Sequence, residues 1–314
     1  MFGLFSASQL DFRMIKVAIA GTGGLAQYIA QHIDQDTSHQ FVLLSREDKP
    51  GLNANGFQVI VVDYDDAQSL RYALFGIDTV ISTVSGVPQL NLIEAAVSCG
   101  VRRFAPAEFE GPPSVRPVDI LDRLKDSALE RLRYYSSQIE STVFICGILY
   151  ERFAPGGMVS CAIGLGTGIS GEGEFLVNVR NLKAEIPYDP SGRIINVCMT
   201  SASDVARFVV RALDFAHWPT ELSMLGERMA VYDIVHEIEN MSGQRLETVL
   251  QTAESLTSFL IHYQSQYDLT GQLRTQSMID TLEGRYDYAD STLNGLVDFR
   301  PIGFGEWLRQ VWAA

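Results

Sequence analysis

The chain has 314 residues, 46% of them hydrophobic and 20% charged, enough to bury a large core in one big α/β domain or in two lobes. A formal net charge of −14 excludes a general binder of nucleic-acid backbones, which needs lysine and arginine to neutralise phosphates. No apolar run reaches the ~18 residues of a membrane span. The five histidines and four cysteines show no metal-ligand spacing, so no metal is expected and the cysteines read as reduced thiols of a cytoplasmic protein.

Residues 1–13 lack a basic start and a sustained apolar stretch, and read as a loose extension rather than a signal peptide. The first strand, expected over 15–20, runs into Gly21-Thr22-Gly23-Gly24-Leu25-Ala26 and then a helix over 24–33. That order of parts makes a pyrophosphate-binding turn. Gly21 suits the tight turn. Gly23 or Gly24 lets backbone approach a phosphate without a Cβ in the way, and Ala26 is small enough for close helix packing. The first helical N–H groups, near Leu25 to Tyr28, are expected to face the anion.

A second strand over 41–45 follows about 20 residues later, where a ribose-reading residue is expected. Instead of the acid typical of NAD binders, Ser45-Arg46 stands there, with Lys49 close behind. A planar guanidinium suits a 2′-phosphate, so NADP(H) is favoured over NAD. Strands over 57–62, 78–83, 102–105 and 142–146 alternate with helical patterns over 66–74, 88–99 and 119–138. This spacing predicts a Rossmann-type, doubly wound parallel sheet. Ligands of such sheets lie beyond the carboxyl ends of the strands, which makes Asp63, Ser82, Thr83 and Ser85 candidates for the cofactor edge.

After residue 153 the pattern is less regular. A glycine-rich stretch over 154–173 reads as loop over the cofactor or as part of a smaller lobe. Helical runs are expected at 205–213, 231–242, 253–283 and 304–312. The expected organisation is an extension (1–13), an NADP-binding domain (14–153) and a loop-rich substrate lobe (154–314), with some segments returning to the first domain.

The stretch Gln89-Leu90-Asn91-Leu92-Ile93-Glu94-Ala95-Ala96, followed by Cys99-Gly100-Val101-Arg102-Arg103-Phe104-Ala105-Pro106-Ala107-Glu108-Phe109, resembles a signature of the NmrA-like and isoflavone reductase-like proteins. These are atypical short-chain dehydrogenases. Cys146-Gly147-Ile148-Leu149-Tyr150-Glu151-Arg152-Phe153 and Ser203-Asp204-Val205-Ala206 resemble further segments of the group. The resemblance spans roughly residues 15–245. Two departures stand out: Gln27 replaces the third glycine of the family's turn, and Glu110 replaces the glycine of its "SEFG" motif. The Tyr-x-x-x-Lys pair of typical short-chain dehydrogenases is absent.

The resemblance implies a catalytic lysine on the helix after that motif, and Lys125 is the only lysine there. It borders a stripe of Leu121, Leu124, Ala128 and Leu132. Its amine is expected in an apolar pocket, where desolvation lowers its pKa and makes it a general acid/base. The plainer alternative is a solvated lysine near Asp122, Asp126 or Glu130. Gly147 is placed beside the nicotinamide, and Phe109, Tyr150, Phe153 and Tyr188 are expected as an aromatic substrate wall.

The resulting expectation is an NADPH-dependent reductase of a small hydrophobic, aromatic or enone-type molecule of secondary metabolism, working as a monomer or homodimer without a nucleic-acid or membrane partner. A non-enzymatic NADP(H) sensor acting through a protein partner, and a non-redox isomerase or cyclase, stay open beside it.

Overall fold

The computed structural model describes residues 13–116 and 123–313. Most of the expected N-terminal extension, and residues 119–122 of the expected fourth helix, lie outside them.

Six parallel strands form the central sheet: β1 (Lys16–Ala20), β2 (Gln40–Ser45), β3 (Val59–Val61), β4 (Thr79–Ser82), β5 (Arg103–Ala105) and β6 (Glu140–Ser141). Their order is β3-β2-β1-β4-β5-β6. This is the Rossmann arrangement, with its switch point between β1 and β4. Side chains alternate along each strand. Val17, Ile19, Leu43 and Ile81 enter one buried cluster, with α1 (Gly24–Asp36) and, from far along the chain, α6 (Ala202–Ala212). Ala18, Ala20, Val42 and Val80 enter another, with α3 (Ala67–Leu74), α4 (Val87–Ser98) and α5 (Lys125–Tyr134). Burial on both faces explains why the strands read as continuous apolar runs.

A short helix α2 (Pro50–Ala54) follows β2. The strand expected at 142–146 is β7 (Val143–Ile145), paired with β12 (Glu221–Ser223) and bridged at Ile145 to Glu110. Two small sheets build the rest. One orders as β13-β11-β8 from Glu227–Ala230, Asn196–Thr200 and Ile148–Leu149. The other orders as β14-β10-β9 from Glu247–Gln251, Lys183–Pro187 and Val177–Asn178. With α7 (Val231–Ser242), α8 (Ala253–Ser265), α9 (Leu269–Glu283) and α10 (Phe304–Ala313) they enclose a separate buried cluster around Phe153, Ile186, Ile234 and Phe304.

Two helical expectations change. The run at 253–283 is two helices, because Tyr267 adopts a left-handed φ of 55° and Asp268 starts α9 by accepting from the Gly271 N–H at 3.0 Å. The fourth helix begins only at Lys125. Arg123 and Leu124 before it have φ of 56° and 59°, a conformation that costs non-glycine residues roughly 1 kcal/mol or more each. Leu124 is therefore an exposed helix start rather than part of the apolar stripe, whereas Ala128 and Leu132 are buried as expected.

Candidate active site

A cavity of about 860 Å³ runs along the carboxyl ends of the parallel strands, from the glycine turn to Lys125. At its first end, Gly21 has φ of 111°, and a Cβ there would overlap Thr83 Oγ1. The hydroxyl and the N–H of Thr83 both bind the Ala20 carbonyl at 2.8 Å, which ties β4 to the turn. Gly23 and Gly24 play a different part from the one expected. A Cβ on Gly24 would overlap the Cys161 carbonyl, and the Gly24 N–H donates to the Ala162 carbonyl at 2.8 Å. The close approach they permit is that of the backbone at Cys161 and Ala162.

The Gln27 N–H binds Gly23 O, so from there on the amides are spent inside the helix. The donors left to an anion are those of Leu25 and Ala26. No side chain caps this helix and no acid sits in its first turn, as an anion site requires. Gln27, at the place of the missing third glycine, braces the turn by donating its side-chain amide to Thr22 O at 2.8 Å.

Thr22, Arg46, Lys49, Thr83, Ser85 and Gly147 also line the cavity. Arg46 makes no ion pair among the described residues, while Lys49 is paired with Glu47 at 3.1 Å. Asp63 is turned to solvent, accepting from the Asp65 N–H at 2.9 Å, and the next residue, Tyr64, faces the cleft near Arg46. Sequence reading missed Tyr64 by one position. Ser82 is fully buried, donating to Val84 O at 2.8 Å, and does not line the cavity. The turn, the unpaired Arg46 and the open cleft fit a 2′-phosphorylated dinucleotide.

At the other end the expected apolar pocket around Lys125 is a charge cluster. The Lys125 side chain is 6% exposed, which also removes the solvated-surface alternative. Its ammonium pairs with Glu110 and lies 3.7 Å from Glu108. Arg116 grips Glu108 at 2.9 Å, reaches Asp126 at 3.0 Å and approaches Glu110 at 3.5 Å. Arg285 binds the second Glu110 oxygen at 3.2 Å and also pairs with Asp280. Burial alone would push the Glu110 carboxyl up, but Lys125 and Arg285 outweigh it and hold it down at about 2. The backbone seats Glu110 as well: its carbonyl accepts from the N–H groups of Cys146 and Gly147 at 3.1 and 3.3 Å. Gly147, with φ of 68°, passes so close to Cys198 that a Cβ would overlap its carbonyl.

The aromatic wall is also redistributed. Phe109 lines the cavity, stacked on Phe144 with centroids 6.0 Å apart. Tyr150 and Phe153 are wholly buried away from it, against Phe304 at 5.3 and 5.2 Å. They sit at i and i+3 of a 3-10 turn, Tyr150–Phe153, so they share one face while Arg152 points to the cleft. Tyr188 lies at the end of β10, its N–H bound to Gln251 O at 2.8 Å, outside the cavity lining. Phe175 and Tyr286 take their places. Arg285, Tyr286 and the α9 residues Leu273, Gln276, Ser277 and Asp280 come from the part of the chain without a recognisable motif.

A model of the NmrA-like family matches residues 14–284. Oxidoreductase BOA1 of Botryotinia fuckeliana is 29% identical over 248 residues, covering 74% of this chain and 77% of that protein. Oxidoreductase swnR of Metarhizium robertsii is 37% identical over 150 residues, 45% of this chain and 48% of its own length. Among solved structures, AtPrR2 with NADP+ and (+)pinoresinol matches with a TM-score of 0.73 at 18% identity, over 95% of this chain and 99% of that one. The quinone oxidoreductase QOR2 from Escherichia coli, complexed with NADPH, matches with a TM-score of 0.70 at 19% identity, over 94% and 99%. At these identities the two structures have the fold in common. The match over residues 14–284 is decisive for the sequence itself: this chain belongs to the NmrA-like family.

Proposed function

We propose that the protein is an NADP-dependent oxidoreductase, a cytoplasmic reductase of a small aromatic or enone-type molecule, with Lys125 as general acid and the lobe from residue 154 onward closing the substrate side. The observation that carries the reading is one continuous cavity with two differently equipped ends: a bare helix N-terminus beside an unpaired arginine, and a buried ammonium. The similar structures solved with NADP+ or NADPH support the cofactor.

Gly21, Thr22, Leu25 and Ala26 would hold the pyrophosphate, Arg46 with Lys49 the 2′-phosphate, and Thr83, Ser85 and Gly147 the nicotinamide half. Bound NADPH supplies a hydride to an electrophilic carbon. Lys125 Nζ gives the balancing proton to the substrate oxygen. Glu110 does not touch the reacting atoms; it aims the Lys125 ammonium through their ion pair. Phe109, Phe175 and Tyr286 supply flat apolar surface, and the enclosing walls exclude water from the transfer.

Calorimetric titration with NADPH, NADP+ and NADH, followed by NADPH consumption over a panel of quinones, enones and aromatic aldehydes, tests this. NADPH binding with turnover of at least one class is expected. A protein that binds none of the three dinucleotides is not this enzyme. Tight binding without turnover across the panel would move the function to a sensor.

A further inference from the structure

Three cations at the Lys125 end are matched by carboxylates. Arg116 is matched by Glu108 and Asp126, Lys125 by Glu110, and Arg285 by Asp280 and Glu110. Two more cavity-lining cations remain, Arg152 and Arg123. Neither forms an ion pair among the described residues. Arg152 is partly buried, lies 5.4 Å from the Phe175 centroid, and spends one guanidinium nitrogen on the Ile169 carbonyl at 2.9 Å. Burial lowers its pKa, and Arg123 adds a smaller push the same way. Tyr286, Glu110 and Glu174 oppose this from a distance. A partly buried guanidinium that lines one cavity with a second, neither paired with a carboxylate among the described residues, is an unfinished ion pair.

Resting on the reductase reading above, we propose that Arg152 and Arg123 form an anion subsite, and that the substrate is an aromatic or conjugated carboxylate rather than a neutral hydrophobic molecule. Its carboxylate lies against the two guanidiniums, its flat body against Phe175 and Tyr286, and its reducible carbon toward Gly147 and Lys125. A planar guanidinium fork matches a carboxylate in two parallel hydrogen bonds. A monoanion suits the site better than a dianion, because Glu110 and Glu174 already act on Arg152 and would repel the second charge. The cavity lining, with seven lysine and arginine side chains against three carboxylates, also draws an anion into the cleft of a chain whose formal net charge is −14.

The test is equilibrium binding, which needs no turnover. The protein is first titrated with NADP+, and the saturated complex is then titrated with trans-cinnamate, cinnamamide and phenyl phosphate. Cinnamate is expected to bind at least roughly tenfold tighter than cinnamamide, the two having the same shape and differing in charge. Arg152→Gln should remove that preference by weakening cinnamate alone, with NADP+ affinity kept. Because Arg152 also holds the Ile169 carbonyl, the exposed Arg123→Gln is the second variant, expected to weaken cinnamate by about threefold or more. The proposal is overturned if cinnamate binds no better than cinnamamide, if phenyl phosphate binds tightest, or if both variants keep the preference. Equal loss of cinnamate and cinnamamide in Arg152→Gln, with Arg123→Gln unaffected, assigns Arg152 to loop anchoring and also overturns it. Failure of the first NADP+ titration instead refutes the cofactor reading, and the carboxylate series is then read on the free protein.

Discussion

The two ends of the cleft are made of different material. Around residues 21–26 the chain presents backbone: a left-handed glycine, two free amides and a helix dipole, with Arg46 as the charged addition. Around Lys125 it presents long side chains drawn from the segment after β5, the start of α5, α9 and the turn after it, locked by mutual ion pairs. The first kind of site is assembled by neighbours in sequence and survives most side-chain changes. The second exists only when segments about 170 residues apart have docked, as the Glu110–Arg285 pair shows. Its parts are interdependent, so removing one leaves others buried and unmatched.

The largest expected difference between the ends comes from Lys125→Ala. Loss of the proton donor should lower kcat on an accepted substrate by roughly 10²- to 10⁴-fold, with NADPH affinity changed by less than about twofold. Steady-state kinetics beside calorimetry would check it, and a parallel fall in NADPH affinity would mean the ends are not separable. Gly24→Ala probes the other end. Its new Cβ overlaps the Cys161 carbonyl, and the cost should be about 1–3 kcal/mol of stability together with weaker NADPH binding. Urea unfolding would read the first effect. Arg46→Gln should leave stability alone and weaken NADPH by about tenfold, roughly the worth of a charge-assisted hydrogen bond, while NADH affinity stays unchanged. An equal loss for both dinucleotides would remove Arg46 from the 2′-phosphate.

A further contrast concerns two carboxyls whose pH dependences run in opposite directions. Glu110, held at about 2, contributes stability above the ordinary carboxylate range that is lost as pH falls toward its folded value. Glu151 is buried outside the cavity lining, accepting from the Ala202 N–H at the start of α6 with both oxygens, at 2.9 and 3.0 Å. Burial raises it to about 7 against those hydrogen bonds. A carboxyl raised in the folded state contributes most at acid pH and loses that contribution as pH rises through about 7. Glu151→Gln keeps an acceptor and carries no charge. Its Tm gain over the parent should therefore grow from pH 5 to pH 8, with a ceiling of about 3 kcal/mol. A gain independent of pH would show that Glu151 titrates alike in the folded and unfolded chain, so that burial does not raise it.

Much of the first end was legible in the chain. Strand, glycine turn, helix and Arg46 follow one another within about 30 residues, and local order carries their meaning. The helix-length connections between short apolar strands already implied a sheet covered on both faces. The part played by Gly24 was not legible, because its partner is a carbonyl about 140 residues away. Asp63 and Tyr64 differ by one position, and a strand end alone does not say which of them turns inward. Lys125 was marked through its resemblance to a family pattern, and its setting was misjudged. An apolar stripe describes one helix, whereas the surroundings of an amine depend on what packs against that helix.

Sequence by itself determined the sheet, the dinucleotide turn and the family, because these rest on short-range periodicity and on residue types with few conformational options. Tertiary structure alone decided that Lys125 meets carboxylates, that Tyr150 and Phe153 belong to the core while Arg152 faces the cleft, and that Arg285 and Tyr286 close the site. Those outcomes depend on which distant side chains share one low-dielectric space. Coulomb and packing energies in such a space are set by separation in three dimensions, not along the chain.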